Sequence, residues 1–133
     1  MQISIKTPPV SYEECGKKYF EEYTADEFER SMRTFVYVMT DGEIHKVGIS
    51  KNPIVRRSGV QRDVGKPVEL VKVFSFDYLN AERVEASCHD LLSVHWVFGE
   101  WFDAPLDVVV GTVRDFIYSE KYYADWDNAP PFV

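Results

Sequence analysis

Between residues 34 and 57 the chain reads as two β-type runs, a glycine turn and the start of a capped helix. The runs 34–39 and 44–50 are rich in β-branched and aromatic residues, which suit a pleated, half-buried surface. Asp41-Gly42 lies between them, and type I′ hairpin turns need positive φ at their central positions. Asn52-Pro53 then reads as an N-cap followed by proline at the first helical position. A chain built this way folds around a hairpin with a helix leaving its second strand.

The remaining elements follow from the same signals. The helix begun at Pro53 is expected to reach about residue 63 and to stop before Gly65-Lys66-Pro67. Residues 68–76 alternate and predict a third strand. Asn80 is placed to cap a helix over 81–93, with Val84, Cys88 and Leu91 on its apolar face. Gly99-Glu100-Trp101-Phe102 reads as a turn entering a packed segment, with Trp101 and Phe102 in the core and Glu100 exposed. A last helix is expected over 105–119, with Val109, Val113, Phe116 and Ile117 inward. Upstream, Ser11-Tyr12-Glu13-Glu14 and Thr24-Ala25-Asp26-Glu27 are capping-box patterns that predict helices over 12–22 and 25–33. The expected fold is a small α/β (α+β) domain. It has a three-stranded, mainly antiparallel sheet flanked by helices over 34–119, an N-terminal helical extension over 1–33 and a C-terminal tail over 120–133.

Charge is distributed unevenly. The net charge is −7, yet from Ile44 to Lys66 six basic residues face one acid, Asp63. That segment carries +5 and the rest of the chain −12. A basic face on an acidic body can hold phosphate, although the overall field slows encounter with a polyanion. Tyr37, Lys46 and Arg56 would bring a phenol, an ammonium and a guanidinium to one surface, a set better suited to phosphate than to an apolar ligand. The plain alternative is a solvated basic helix. Met1 to Lys6 has no apolar signal-peptide core, no run approaches a membrane span, and Cys15 and Cys88 lack metal-ligand spacing. The expectation is a cytoplasmic protein with two buried or half-buried thiols and no membrane partner.

Five short motifs then resemble the GIY-YIG nuclease superfamily. They are Val36-Tyr37 on the first strand, Lys46-Val47-Gly48 on the second, Arg56 ten residues on, Ala81 to His89 with Glu85, and Gly99-Glu100-Trp101-Phe102. The last two and the lysine are most similar to a phage and bacterial branch in which the second motif reads Lys-Ile-Gly. The resemblance covers roughly 34–103.

It implies a divalent-metal-dependent endonuclease or nickase acting on DNA. Glu85 would hold Mg²⁺ or Mn²⁺ and Tyr37 would activate or orient the water. Arg56 and Lys46 would stabilise the phosphate, and His89 would bind phosphate or donate to the leaving group. As a base, Tyr37 would need its pKa lowered by nearby cations. The nucleic-acid contacts expected are Lys46, Lys51, Arg56, Arg57 and Arg62. Gly48 would either allow close approach of phosphate or mark a bulge. His45 should face away from Lys46. One site cuts one strand, so double-strand cleavage calls for a homodimer or two successive events. Two other readings stand beside this one. In the first, the fold is kept as a binding or regulatory module without turnover, acting on a host or phage factor. In the second, the acidic N-terminal helices mimic nucleic acid and dock a protein partner.

Overall fold

The computed structural model describes residues 10–14, 17–21, 33–76 and 78–119. Among these, the strands are β1 (Val10–Glu14), β2 (Lys17–Glu21), β3 (Thr34–Thr40), β4 (His45–Ser50), β5 (Glu69–Phe76), β6 (Trp96–Phe98) and β7 (Trp101–Phe102). They form one sheet in the order β2-β1-β5-β3-β4-β7-β6. Every pairing is antiparallel except β1 with β5. The helices are α1 (Pro53–Val64), α2 (Tyr78–Leu91) and α3 (Leu106–Ser119). The α+β class is as expected, and the sheet is wider than the three strands foreseen.

β3 lies between β4 and β5, and all seven of its residues are buried. Its alternating side chains feed two cores. Phe35, Tyr37 and Met39 pack with Ile54 and Val60 of α1, and with Trp101. Val36 and Val38 pack with Val84 and Cys88 of α2, with Val109 and Val113 of α3, and with Phe102. The sheet is thus covered by α1 on one face and by α2 and α3 on the other, as its period-two alternation requires. Trp101 and Phe102, adjacent on β7, enter opposite cores.

Local signals located α1 closely. The Asn52 side chain accepts a bond from Val55 N–H at 3.3 Å, Pro53 opens the helix, and Gly65 ends it at φ 74°. Gly65 N–H reaches back to the Gln61 carbonyl at 2.9 Å, the left-handed stop that favours glycine.

Several expectations are corrected. Residues 10–21 form a strand pair where a helix was read over 12–22. The register sets Glu13 opposite Lys18 and Glu14 opposite Lys17. Parallel pairing of β1 with β5 then outweighs a local capping pattern. The acidic helix that a nucleic-acid mimic would use is therefore absent over 12–22, while the helix read over 25–33 and Cys15 lie outside the described residues. The β3–β4 connection is a four-residue loop, 41–44, because Thr40 pairs with His45. Asp41 Oδ1 accepts from the Glu43 and Ile44 amides at 2.8 and 2.9 Å, and Lys66 Nζ lies 3.3 Å from its Oδ2. These bonds hold the Asp41 carboxyl below its usual range against the effect of burial, and Gly42 takes the positive φ of 103° that favours glycine. α2 starts at Tyr78, so that Asn80 falls within its first turn; Leu91 at its end is 57% exposed, and Leu92 just beyond it is buried. Cys88 is buried, and burial followed by the nearby Glu85 charge pushes its thiol up. Among the described residues no helix is long and apolar enough to cross a membrane.

Candidate functional site

The site lies along the second half of β4. His45 and Lys46 pair with β7, and Val47 N–H reaches the Glu100 carbonyl at 3.1 Å. From Gly48 onward the pairing of β4 is with β3 alone, so its other edge is open to side chains from elsewhere. Glu85 of α2 comes round that edge and accepts from the Ile49 backbone. Groups from the two faces of the sheet meet here.

On the α1 face, Tyr37 stands opposite Gly48 in the register. A Cβ at Gly48 would sit 2.5 Å from the Tyr37 hydroxyl and 3.0 Å from Glu100 Oε1. Glycine at this position therefore makes room for a phenol and a carboxylate, which is a tighter constraint than either a bulge or an approaching phosphate. Tyr37 is fully buried, and its hydroxyl forms no hydrogen bond of ordinary geometry. Burial, then the Glu100 charge, drives its pKa well above the ordinary phenol value, and Arg56 opposes them. The expectation of a lowered pKa is overturned, because desolvation outweighs the neighbouring guanidinium.

The six cations of the basic segment do different work. Lys46 Nζ bonds Glu100 Oε1 at 2.6 Å, and its side chain is only 13% exposed. It lies 6.0 Å from the centre of the Trp101 ring. Lys46 is thus engaged within the protein rather than offered outward. Arg57 donates through Nε to the Val68 carbonyl at 2.6 Å, so it ties α1 to the start of β5. Lys66 pairs with Asp41. Lys51, Arg56 and Arg62 are left as exposed positive charges, and Arg56 is the one whose charge reaches Tyr37.

On the α2 face, Glu85 and His89 are one turn apart. His89 Nε2 lies 2.7 Å from the Val47 carbonyl. A carbonyl can only accept, so Nε2 carries a proton and donates it. Its ring also lies 5.3 Å from that of Phe102. Glu85 Oε2 is buried without a partner. Burial, then repulsion from Glu100, pushes the Glu85 carboxyl up to about 7, against the pull of Lys46 and the Ile49 amide. Glu85, His89 and Glu100 each offer one donor atom, and these lie within 4.8 Å of one another.

The family match is to the T5orf172 domain and spans residues 34–117, more than half of the chain. The chain belongs to the T5orf172 domain family. No GIY-YIG family matches, which corrects the superfamily drawn from the motifs. Each of those motifs is a few residues long, and hairpin, capped helix, strand and helix recur widely in small α+β domains, so their order did not discriminate. No curated protein and no solved structure matches the chain.

Within this T5orf172 domain, Glu100 is the site residue that sequence reasoning undervalued. The turn between β6 and β7 carries it against β4, and no local pattern reveals where that turn folds. His45 is a structural residue. It is 6% exposed, its Nδ1 lies 2.9 Å from Thr40 Oγ1, and burial holds it below the usual histidine range. A cavity of about 300 Å³ opens beside the site, lined by His89, Ser93, Trp96, Gly99 and Phe102. A larger one of about 770 Å³ lies between α2 and α3. Its lining includes Asp90 and Asp115 but no lysine or arginine, so it repels phosphate.

Proposed function

We propose that this T5orf172 domain is a divalent-metal-dependent endonuclease that nicks DNA. Membership of a family of nuclease-like or DNA-binding domains found in phages and bacteria fits a nucleic-acid role. The observation that carries the finer reading is the meeting, at the open edge of β4, of Lys46, Arg56 and Tyr37 with Glu85, Glu100 and His89. Phosphodiester hydrolysis needs positive charge on the phosphoryl oxygens, a positioned water and help for the leaving oxygen. Arg56, exposed at the start of α1, would grip the phosphate in a forked contact. Lys46 would add a point charge beside it. Tyr37 keeps its proton, so it would orient the water by hydrogen bonding rather than abstract from it. His89 would help hold the cation through Nδ1, because Nε2 is bonded to the Val47 carbonyl.

The donors present fit a hard divalent ion, since Glu85 holds a buried oxygen with no partner. Bound there, Mg²⁺ or Mn²⁺ would neutralise developing phosphoryl charge. The exposed Lys51, Arg56 and Arg62 would track the backbone without reading bases, so weak sequence preference is expected. The test is incubation of supercoiled plasmid with the protein and Mg²⁺ or Mn²⁺, beside Glu85→Ala and Arg56→Ala. Nicking that both substitutions abolish supports the reading, and no nicking by the folded wild type overturns it.

The sealed Tyr37 favours a second reading, a binding module without turnover. In that case DNA is retained in a gel-shift assay, with loss in Arg56→Ala, and no plasmid is nicked.

A further inference from the structure

We propose that Glu85, His89 and Glu100 together form a three-donor cation site that prefers a nitrogen-accepting first-row metal of the Mn²⁺ type over Mg²⁺. The proposal rests on the reading of Glu85 as the cation-holding residue. It adds two donors to it and a selectivity.

The donors converge from three parts of the fold. Glu85 and His89 come from α2, one turn apart, and Glu100 comes from the β6–β7 turn. Their donor atoms lie within 4.8 Å of one another. Each has an atom that a cation could take. Glu85 Oε2 is buried and unpartnered. His89 gives its Nε2 proton to the Val47 carbonyl, which leaves Nδ1 as the nitrogen a cation would take. Glu100 gives Oε1 to Lys46 and has a second oxygen to offer. A buried acceptor with no donor is destabilising. Several acceptors gathered at one point are satisfied together by a cation.

A second observation points into the same place. The Tyr37 hydroxyl is fully buried, makes no hydrogen bond of ordinary geometry though Arg56 lies near it, and crowds the same point over Gly48 as Glu100 Oε1. An unpaired phenol beside an acidic cluster is placed to bond a water or oxyanion that a cation would bring. The support around the donors is also that of a metal site. A metal-bound histidine commonly gives its other N–H to a carbonyl or carboxylate, and Val47 supplies the carbonyl. Lys46 fixes Glu100 at 2.6 Å and is itself held over Trp101, so it is a positioning residue for that ligand.

The donor chemistry sets the preference. Mg²⁺ favours oxygen ligands and retains most of its waters, so one carboxylate would serve it. Imidazole nitrogen suits later divalent metals better. Two carboxylates and one imidazole therefore select Mn²⁺ over Mg²⁺.

The experiment uses the full chain without nucleic acid. Crystals soaked in MnCl₂ are measured at the manganese absorption edge, and Mn²⁺ and Mg²⁺ are titrated calorimetrically into wild type, Glu100→Gln and His89→Gln. Circular dichroism confirms that each variant is folded. The expected result is one anomalous peak bonded to Glu85, Glu100 and His89 Nδ1. Each substitution should weaken Mn²⁺ binding about tenfold or more. His89→Gln should also erase the preference over Mg²⁺. An ion bound to Glu85 alone, no ion, or titrations that neither substitution changes would overturn the proposal. A three-donor ion in a protein that nicks no plasmid leaves this site standing and removes the nuclease reading. Nicking supported equally by both metals, with the ion on Glu85 alone, does the reverse.

Discussion

The two sides of β4 are built on opposite principles. On the α1 side, Tyr37 is sealed against Gly48 with Arg56 near it, and its hydroxyl makes no hydrogen bond of ordinary geometry. On the α2 side, Glu85 and His89 are half-buried acceptors at the open strand edge. Glu100 belongs to neither helix face and touches both sides, bonding Lys46 while lying near Glu85. The difference separates two tasks. The half-buried carboxylates can exchange a cation with solvent, whereas the phenol must be uncovered or reached through its polar neighbours.

The largest expected effect falls on the acceptor side. Glu85→Ala should lower Mn²⁺-supported plasmid nicking about 10³-fold, as loss of a major electrostatic element does, with the fold kept. Removing the metal with a chelator should match it. If Glu85→Ala nicks as fast as wild type, the acceptor side is not the chemical side, and the contrast between the two sides loses its functional meaning.

Next come the neighbouring arginines. Arg56→Ala should cost about 10²-fold in nicking, with little change in melting temperature. Arg57→Ala should leave the chemistry nearly intact and cost about 1–2 kcal/mol of stability in urea unfolding, because its guanidinium holds the Val68 carbonyl. A reversal of this pattern would put the phosphate on the other side of α1.

The sequence carried the parts of this arrangement that depend on near neighbours. Asn52, Pro53 and Gly65 locate α1 within a residue of where it was expected, because caps are local devices. The β-branched and aromatic run of β3 likewise marked it as a strand, although that it feeds two cores is seen only in the structure. What was lost depends on distant partners. Ser11 to Glu14 reads as a helix start until Ser11 is paired with Lys72 of β5. Leu91 was read as inward and is exposed, because which side of a helix is buried is set by what it packs on. Tyr37, Arg56 and Glu85 were visible as candidates. Glu100 was read only as an exposed, weak candidate, since its importance comes from a turn that folds back across β4.

Stability tests probe the sealed side more finely. Gly48→Ala should destabilise the protein by about 1–3 kcal/mol, because its Cβ would stand 2.5 Å from the Tyr37 hydroxyl. Tyr37→Phe should do the opposite, raising stability by about 1 kcal/mol through removal of a buried hydroxyl with no partner. It should still reduce nicking. Stability gained with activity lost would mark the phenol as kept for function. A loss of stability in Tyr37→Phe would mean that the hydroxyl is satisfied after all.

The smallest effect compares the sides through pH. The Glu85 carboxyl rises from 4.5 to about 7 on folding, so the native state retains a proton that the unfolded chain releases. Stability therefore falls as pH rises from about 4.5 to about 7, since the unfolded state binds fewer protons throughout that window. His45 acts in the other direction. Its depressed native pKa makes the fold lose stability as pH drops below the ordinary histidine value of 6.5. Glu85→Gln removes the first slope and leaves the second, so its melting temperature should rise between pH 5 and pH 7, where the metal-free wild type shows a flatter or falling curve. Saturating Mn²⁺ should also cancel the fall in the wild type, because the cation takes the place of the retained proton. If metal-free Glu85→Gln and wild type trace the same curve, Glu85 is solvated, and the acceptor side is an ordinary acidic surface rather than a site.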